Sequence, residues 1–115
     1  MTDDFPALRT ELRQGYRDLM QVIPDQMKGF GDLHRSAVKD GALNQATKEL
    51  MAVAIAICTR CDDCITLHMH DALRAGATPE RLHEAIGVAL LMGGGPASTY
   101  ATHAIRALEQ FSAQQ

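Results

Sequence analysis

From Leu50 to Cys58 the chain reads LMAVAIAIC, nine residues without a charged or amide side chain. Folded as a helix, this segment is apolar on every side, and a helix apolar all round is expected to be buried all round. A single domain of 115 residues has few places to hide such an element. Part of it is therefore expected at a subunit interface, which predicts an oligomer.

The flanking sequence keeps helical spacing, and alternating strand patterns are absent. A first helix places Leu8, Leu12, Tyr16, Leu19, Met20 and Ile23 on one stripe and ends at Pro24. A second, weaker helix runs from about Pro24 to Lys39. Met27, Phe30, His34 and Ala37 face inward there, while Gly29 and Gly31 lower its propensity. DGALN, residues 40 to 44, makes a turn. A third helix spans about Asn44 to Thr59, and a fourth about Asp62 to Ala75 with Gly76 as its stop. Thr78 caps a fifth helix, with Pro79 at its first position. Leu82, Ala85, Ile86 and Ala89 form its inward face. Gly93 to Gly95 break it, and Pro96 starts a sixth with Ala97, Ala101, Ala104, Ile105 and Leu108 inward. The prediction is an all-α fold: one domain over residues 1–115, a compact bundle of about six helices.

The formal charge of −3 leaves no basic footprint for nucleic acid. No apolar run reaches the ~18 residues of a membrane span. The start, MTDDFPALRTELRQ, is acidic and then amphipathic, without the basic and apolar regions of a signal peptide. The expected location is cytoplasmic, where clustered cysteines point to redox, catalytic or metal roles before structural disulfides.

All three cysteines lie in CTRCDDCITLH, residues 58 to 68. Cys61, Cys64, Ile65, His68 and Ala72 fall on the inward face of the fourth helix. Its start favours a thiolate through free N–H groups and the helix dipole. His68, one turn beyond Cys64, is placed to exchange a proton with it. Two cysteines three apart can also close a disulfide, one sulfur passing through a sulfenic acid. Asp62 and Asp63 suit a helix start, although a carboxylate beside a thiol disfavours the thiolate.

Other readings compete. C-x2-C-x2-C-x3-H echoes metal-binding runs, but Cys58 belongs to the preceding apolar helix and reads as a core residue. Four zinc ligands would have to converge from about one and a half turns of helix. Metal is therefore the weaker reading of this run, and a redox scheme on the two cysteines requires no flavin, haem or metal. His70 and His83 read as surface, and HEAIG is not H-E-x-x-H because Gly87 replaces the second histidine. GGGP lacks the lysine of a phosphate loop. Tyr100 and His103 are three apart and are candidates to line a pocket. The methionines read as core. As a bare pattern, C-x-x-C-x3-H leaves redox chemistry, metal and packing open.

With Glu49 the pattern becomes E-x11-C-x2-C-x3-H: Glu49, Cys61, Cys64 and His68. This resembles the core motif of the AhpD-like alkylhydroperoxidase group within the carboxymuconolactone decarboxylase superfamily. The likeness is clear over residues 48 to 104, inside a core region of 44–111, and loose over the first helices. It implies an all-α homo-oligomer, commonly a trimer or hexamer, acting as a thiol peroxidase or disulfide reductase. Cys64 would attack a hydroperoxide or small disulfide, Cys61 would resolve the sulfenic acid, and His68 and Glu49 would relay protons. Electrons would come from a dithiol, in some members on a lipoyl-bearing protein. The alternatives are a lactone decarboxylase-like lyase and a non-enzymatic redox-sensing or structural oligomer. The sequence departs from the peroxidase pattern at Asp63, where characterised members place histidine. Glu49 also stands on the order of 15 Å along a straight helix from Cys61. It is expected to reach the site through a bend, a water chain or a neighbouring subunit, unless it is only a helix-start carboxylate beside Lys48.

Overall fold

The computed structural model describes residues 4–115, and the acidic start at residues 1–3 lies outside the described residues. The fold is all-helical: α1 (Phe5–Val22), α2 (Pro24–Val38), α3 (Gln45–Cys58), α4 (Asp62–Arg74) and α5 (Pro79–Ser112). The helix starts follow from their caps. Asp4, Asn44 and Thr78 each accept a backbone N–H three residues on, and prolines open the first turns of α1, α2 and α5.

The two last predicted helices are one element with a break inside it. Gly94 adopts φ 68°, ψ −149°, outside the helical region, and Pro96 follows. The interruption thus falls where GGGP predicts it, and α5 consists of two helical segments joined across this kink. Gly93 serves a different purpose: a Cβ there would lie 2.5 Å from Ala97 Cβ and 3.1 Å from Cys58 Sγ. Its missing side chain lets α5 approach the end of α3.

The core is built where α3, α4 and α5 meet, from Val53, Ile57, Ile65, Met69, Leu82 and Ala104 among others. α1 enters through Phe5, whose N–H donates to Gln110 Oε1 at 2.8 Å and whose carbonyl accepts from Thr66 Oγ1. Beyond Leu12 the expected stripe of α1 is not buried. Tyr16, Leu19, Met20 and Ile23 are exposed, because this half of α1 and all of α2 form a hairpin laid on the outside of the three-helix core. α3 is likewise not buried all round within one chain. Glu49, Val53, Ala56 and Ile57 face the core, whereas Met51 and Ile55 are open, Ile55 at 61 %. No helix among the described residues is long and apolar enough to cross a membrane.

Candidate functional site

Two helix ends fix the cysteines. α3 closes with a Schellman motif: Cys61 N–H donates to Ala56 O and Arg60 N–H to Ile57 O, both at 3.1 Å. Arg60 takes the left-handed conformation at φ 58° that this closure requires. Cys61 is then also the N-cap of α4, its Sγ accepting the Cys64 N–H at 3.2 Å. One residue thus ends one helix and starts the next. Cys61 and Cys64, with Cα atoms 5.2 Å apart, are joined as a disulfide. Cys58 is a free, half-buried thiol at the end of α3, near Ala89 O at 3.4 Å, in the packing position expected of it.

Cys64 and His68 open into a cavity of about 310 Å³ between α4 and the α1–α2 hairpin. Leu12, Tyr16, Phe30 and Leu33 supply an apolar wall, and His34 and Asp63 also line it. Its shape suits a small, partly apolar molecule, with few polar groups to orient it.

Behind His68 stands Glu49. Within one chain, helix packing brings Glu49 to His68 on α4, the helix that follows Cys61. α3 and α4 lie side by side, so a residue in the first turns of α3 meets the middle of α4. His68 Nδ1–H donates to Glu49 Oε1 at 2.7 Å. Glu49 is 0 % exposed, and its Oε2 has no hydrogen-bond partner among the described residues. With Nδ1 engaged, Nε2 is the His68 nitrogen left to exchange a proton.

Three residues escape a sequence-level reading. His34 faces inward as expected, but its ring lies 5.9 Å from that of His68, and it lines both the dithiol cavity and a second one of about 350 Å³. Asp71 lines that second, polar cavity with His34, Glu49, Arg9, Arg74 and His70. Its only sequence signal is its position three residues after His68, on a neighbouring face of the helix. His70 is not a plain surface residue: Nδ1 bonds Asp71 Oδ1 at 2.9 Å and the ring stands edge-on to Phe111. Burial, then Arg13, lowers the Arg9 pKa, with Asp71 acting in the opposite direction. His83 is exposed as expected. The rings of Tyr100 and His103 meet tilted, their centroids 4.8 Å apart, and His103 Nδ1 bonds Asp62 Oδ1 at 2.6 Å, tying α5 to the first turn of α4. Asp62 is thus a helix-start residue with a specific partner.

Comparison with known proteins agrees with this architecture. The profile of the carboxymuconolactone decarboxylase family matches residues 24–107. An uncharacterised protein from Cupriavidus necator is 39 % identical over 113 residues, 98 % of this chain and 100 % of that one. The crystal structure of an apo carboxymuconolactone decarboxylase family protein from Legionella pneumophila superposes with a TM-score of 0.92 at 39 % identity, covering 96 % of this chain and 99 % of the other. A family member from Thermotoga maritima with a suggested involvement in antioxidative response gives a TM-score of 0.83 at 30 % identity, covering 91 % and 90 %.

Proposed function

Because the chain belongs to the carboxymuconolactone decarboxylase family, we propose that it is a thiol-dependent peroxidase or disulfide reductase of the AhpD-like kind. The observation that carries this reading is the Cys61–Cys64 pair at the start of α4, with Cys64 and the Glu49-held His68 lining one apolar-walled cavity. In the reduced protein, the Cys64 thiolate attacks one oxygen of a hydroperoxide. The O–O bond breaks, and the alkoxide takes a proton from His68 and leaves as the alcohol. Cys64 is then a sulfenic acid. The Cys61 thiol attacks its sulfur, water leaves, and the disulfide forms. A dithiol donor, such as a lipoyl group, returns two electrons and two protons by thiol–disulfide exchange. Glu49 holds His68 at Nδ1 and leaves Nε2 free for proton exchange. The scheme calls on no further cofactor.

Asp63 lines the cavity beside Cys64. A carboxylate there disfavours the thiolate and slows attack on peroxide relative to a histidine. We also place the active molecule in a homo-oligomer, a trimer or hexamer, since the apolar faces of α3 and α5 remain open in one chain.

The test is the intact mass of anaerobically reduced protein before and after one equivalent of hydroperoxide. The expected result is prompt loss of two hydrogens in the wild type, and an oxygen adduct or no change in Cys64→Ser. An unchanged wild-type mass would rule out peroxide as the oxidant. Lyase activity that survives Cys61→Ser would point instead to lactone chemistry.

A further inference from the structure

We infer that His34, Glu49 and Asp71 bind one divalent cation of the zinc or manganese class, in the polar cavity behind the dithiol pocket and without a cysteine ligand. One ligand atom from each of the three lies within 4.8 Å of the other two. They come from three different helices, α2, α3 and α4. The donor set of one imidazole and two carboxylates suits such ions.

Two further observations point to a ligand. Glu49 is wholly buried, yet its Oε2 has no partner among the described residues, and the side chain lines this cavity. A buried carboxylate oxygen left bare is costly, and a cation would satisfy it. Each carboxylate also has one oxygen held by a histidine Nδ1: Glu49 Oε1 by His68 at 2.7 Å, and Asp71 Oδ1 by His70 at 2.9 Å. Ligating carboxylates are commonly oriented in this way by outer hydrogen bonds. In tetrahedral zinc geometry two ligand atoms stand about 3.4 Å apart, so a pair at the 4.8 Å limit must close by about 1.4 Å, within reach of side-chain torsions.

Arg9 and Arg74 line the same cavity and oppose a cation. They also separate this proposal from an anion site. Removing Arg9 tightens binding of a cation or leaves it unchanged, and weakens binding of an anion.

The site shares Glu49 with the peroxidase reading, but its test is separate, because binding is measured directly, without turnover. The experiment is calorimetric titration of the full chain with Zn²⁺, with Cys61 and Cys64 kept as the disulfide and Cys58→Ala removing the third sulfur. About one ion per chain is expected. His34→Gln and Asp71→Asn, each checked for an unchanged helical spectrum, are expected to weaken binding at least about tenfold. Arg9→Gln serves as the variant that leaves all ligands in place. No binding, binding that survives both ligand variants, or weaker binding by Arg9→Gln would overturn the inference.

Discussion

Glu49 illustrates how one side chain is defined by a partner that lies 19 residues away. It sits in the first turns of α3, where a carboxylate beside Lys48 has an ordinary explanation as a favourable charge at a helix start. Yet it is fully buried and its Oε1 holds His68. Glu49→Gln keeps the volume and removes the carboxylate that holds His68 Nδ1. It should slow Cys64 oxidation by hydroperoxide about 10²-fold or more, measured as thiol loss in single-turnover reactions, with the helical circular dichroism retained. An unchanged rate would remove Glu49 from the proton relay and leave it a positioning role at most. Cys61, Cys64 and His68 were legible from helical spacing, and Glu49 only through the resemblance of E-x11-C-x2-C-x3-H to the family motif. Their neighbours His34 and Asp71 were not, since His34 comes from another helix and nothing in local spacing links the two.

At the scale of elements, the α3–α4 junction shows how little chain is needed to set the dithiol. Thr59 and Arg60 are the only residues between the end of α3 and the N-cap of α4. The same hydrogen-bond pattern closes α4, where Gly76 N–H bonds Leu73 O and Ala77 N–H bonds Ala72 O. There glycine occupies the left-handed position, at φ 100°, whereas α3 places Arg60 in it. A side chain in that conformation costs about 1–2 kcal/mol, partly offset by the entropy glycine loses on folding. Arg60→Gly should therefore stabilise the protein by about 0.5–1 kcal/mol in urea denaturation, with the C-x-x-C geometry kept. A loss of stability would mean that the Arg60 side chain makes contacts outweighing its backbone strain. Both stops lie where apolar periodicity ends, but Gly76 is readable as a cap and Arg60 is not. Only the path of the chain, turning from α3 into α4, reveals it.

For the molecule as a whole, apolar side chains of α3 and α5 form one open face. Ile55 and Met51 on α3 stand beside Val88 and Met92 on α5, around a cavity of about 320 Å³ with a wholly apolar wall. Met92 is 77 % exposed and Leu91 79 %. Covering an aliphatic side chain completely contributes about 1.5–3 kcal/mol, so such a face favours association. The proposed oligomer predicts that Ile55→Lys combined with Met92→Lys lowers the mass found by size exclusion with light scattering to that of one chain. A wild type that already runs as a single chain would exclude this face as an interface. The double variant should keep the helical content of the wild type, because neither side chain belongs to the core.

The sequence by itself determined the helical segments, the Thr78 cap, the Gly76 stop, the break near Gly94 and the spacing that puts Cys64 and His68 one turn apart on α4. These depend on residues close together in the chain, where propensity, capping and a 3.6-residue period act. It also pointed to the family through Glu49. Tertiary structure alone decided that Glu49 meets His68 within one chain, that the α1–α2 hairpin walls the dithiol cavity, and that His34 and Asp71 join Glu49. It also decided which side of α3 stays open. Each of these depends on the angle and offset at which helices pack, and those are set by the fit of whole side-chain surfaces rather than by spacing along one helix.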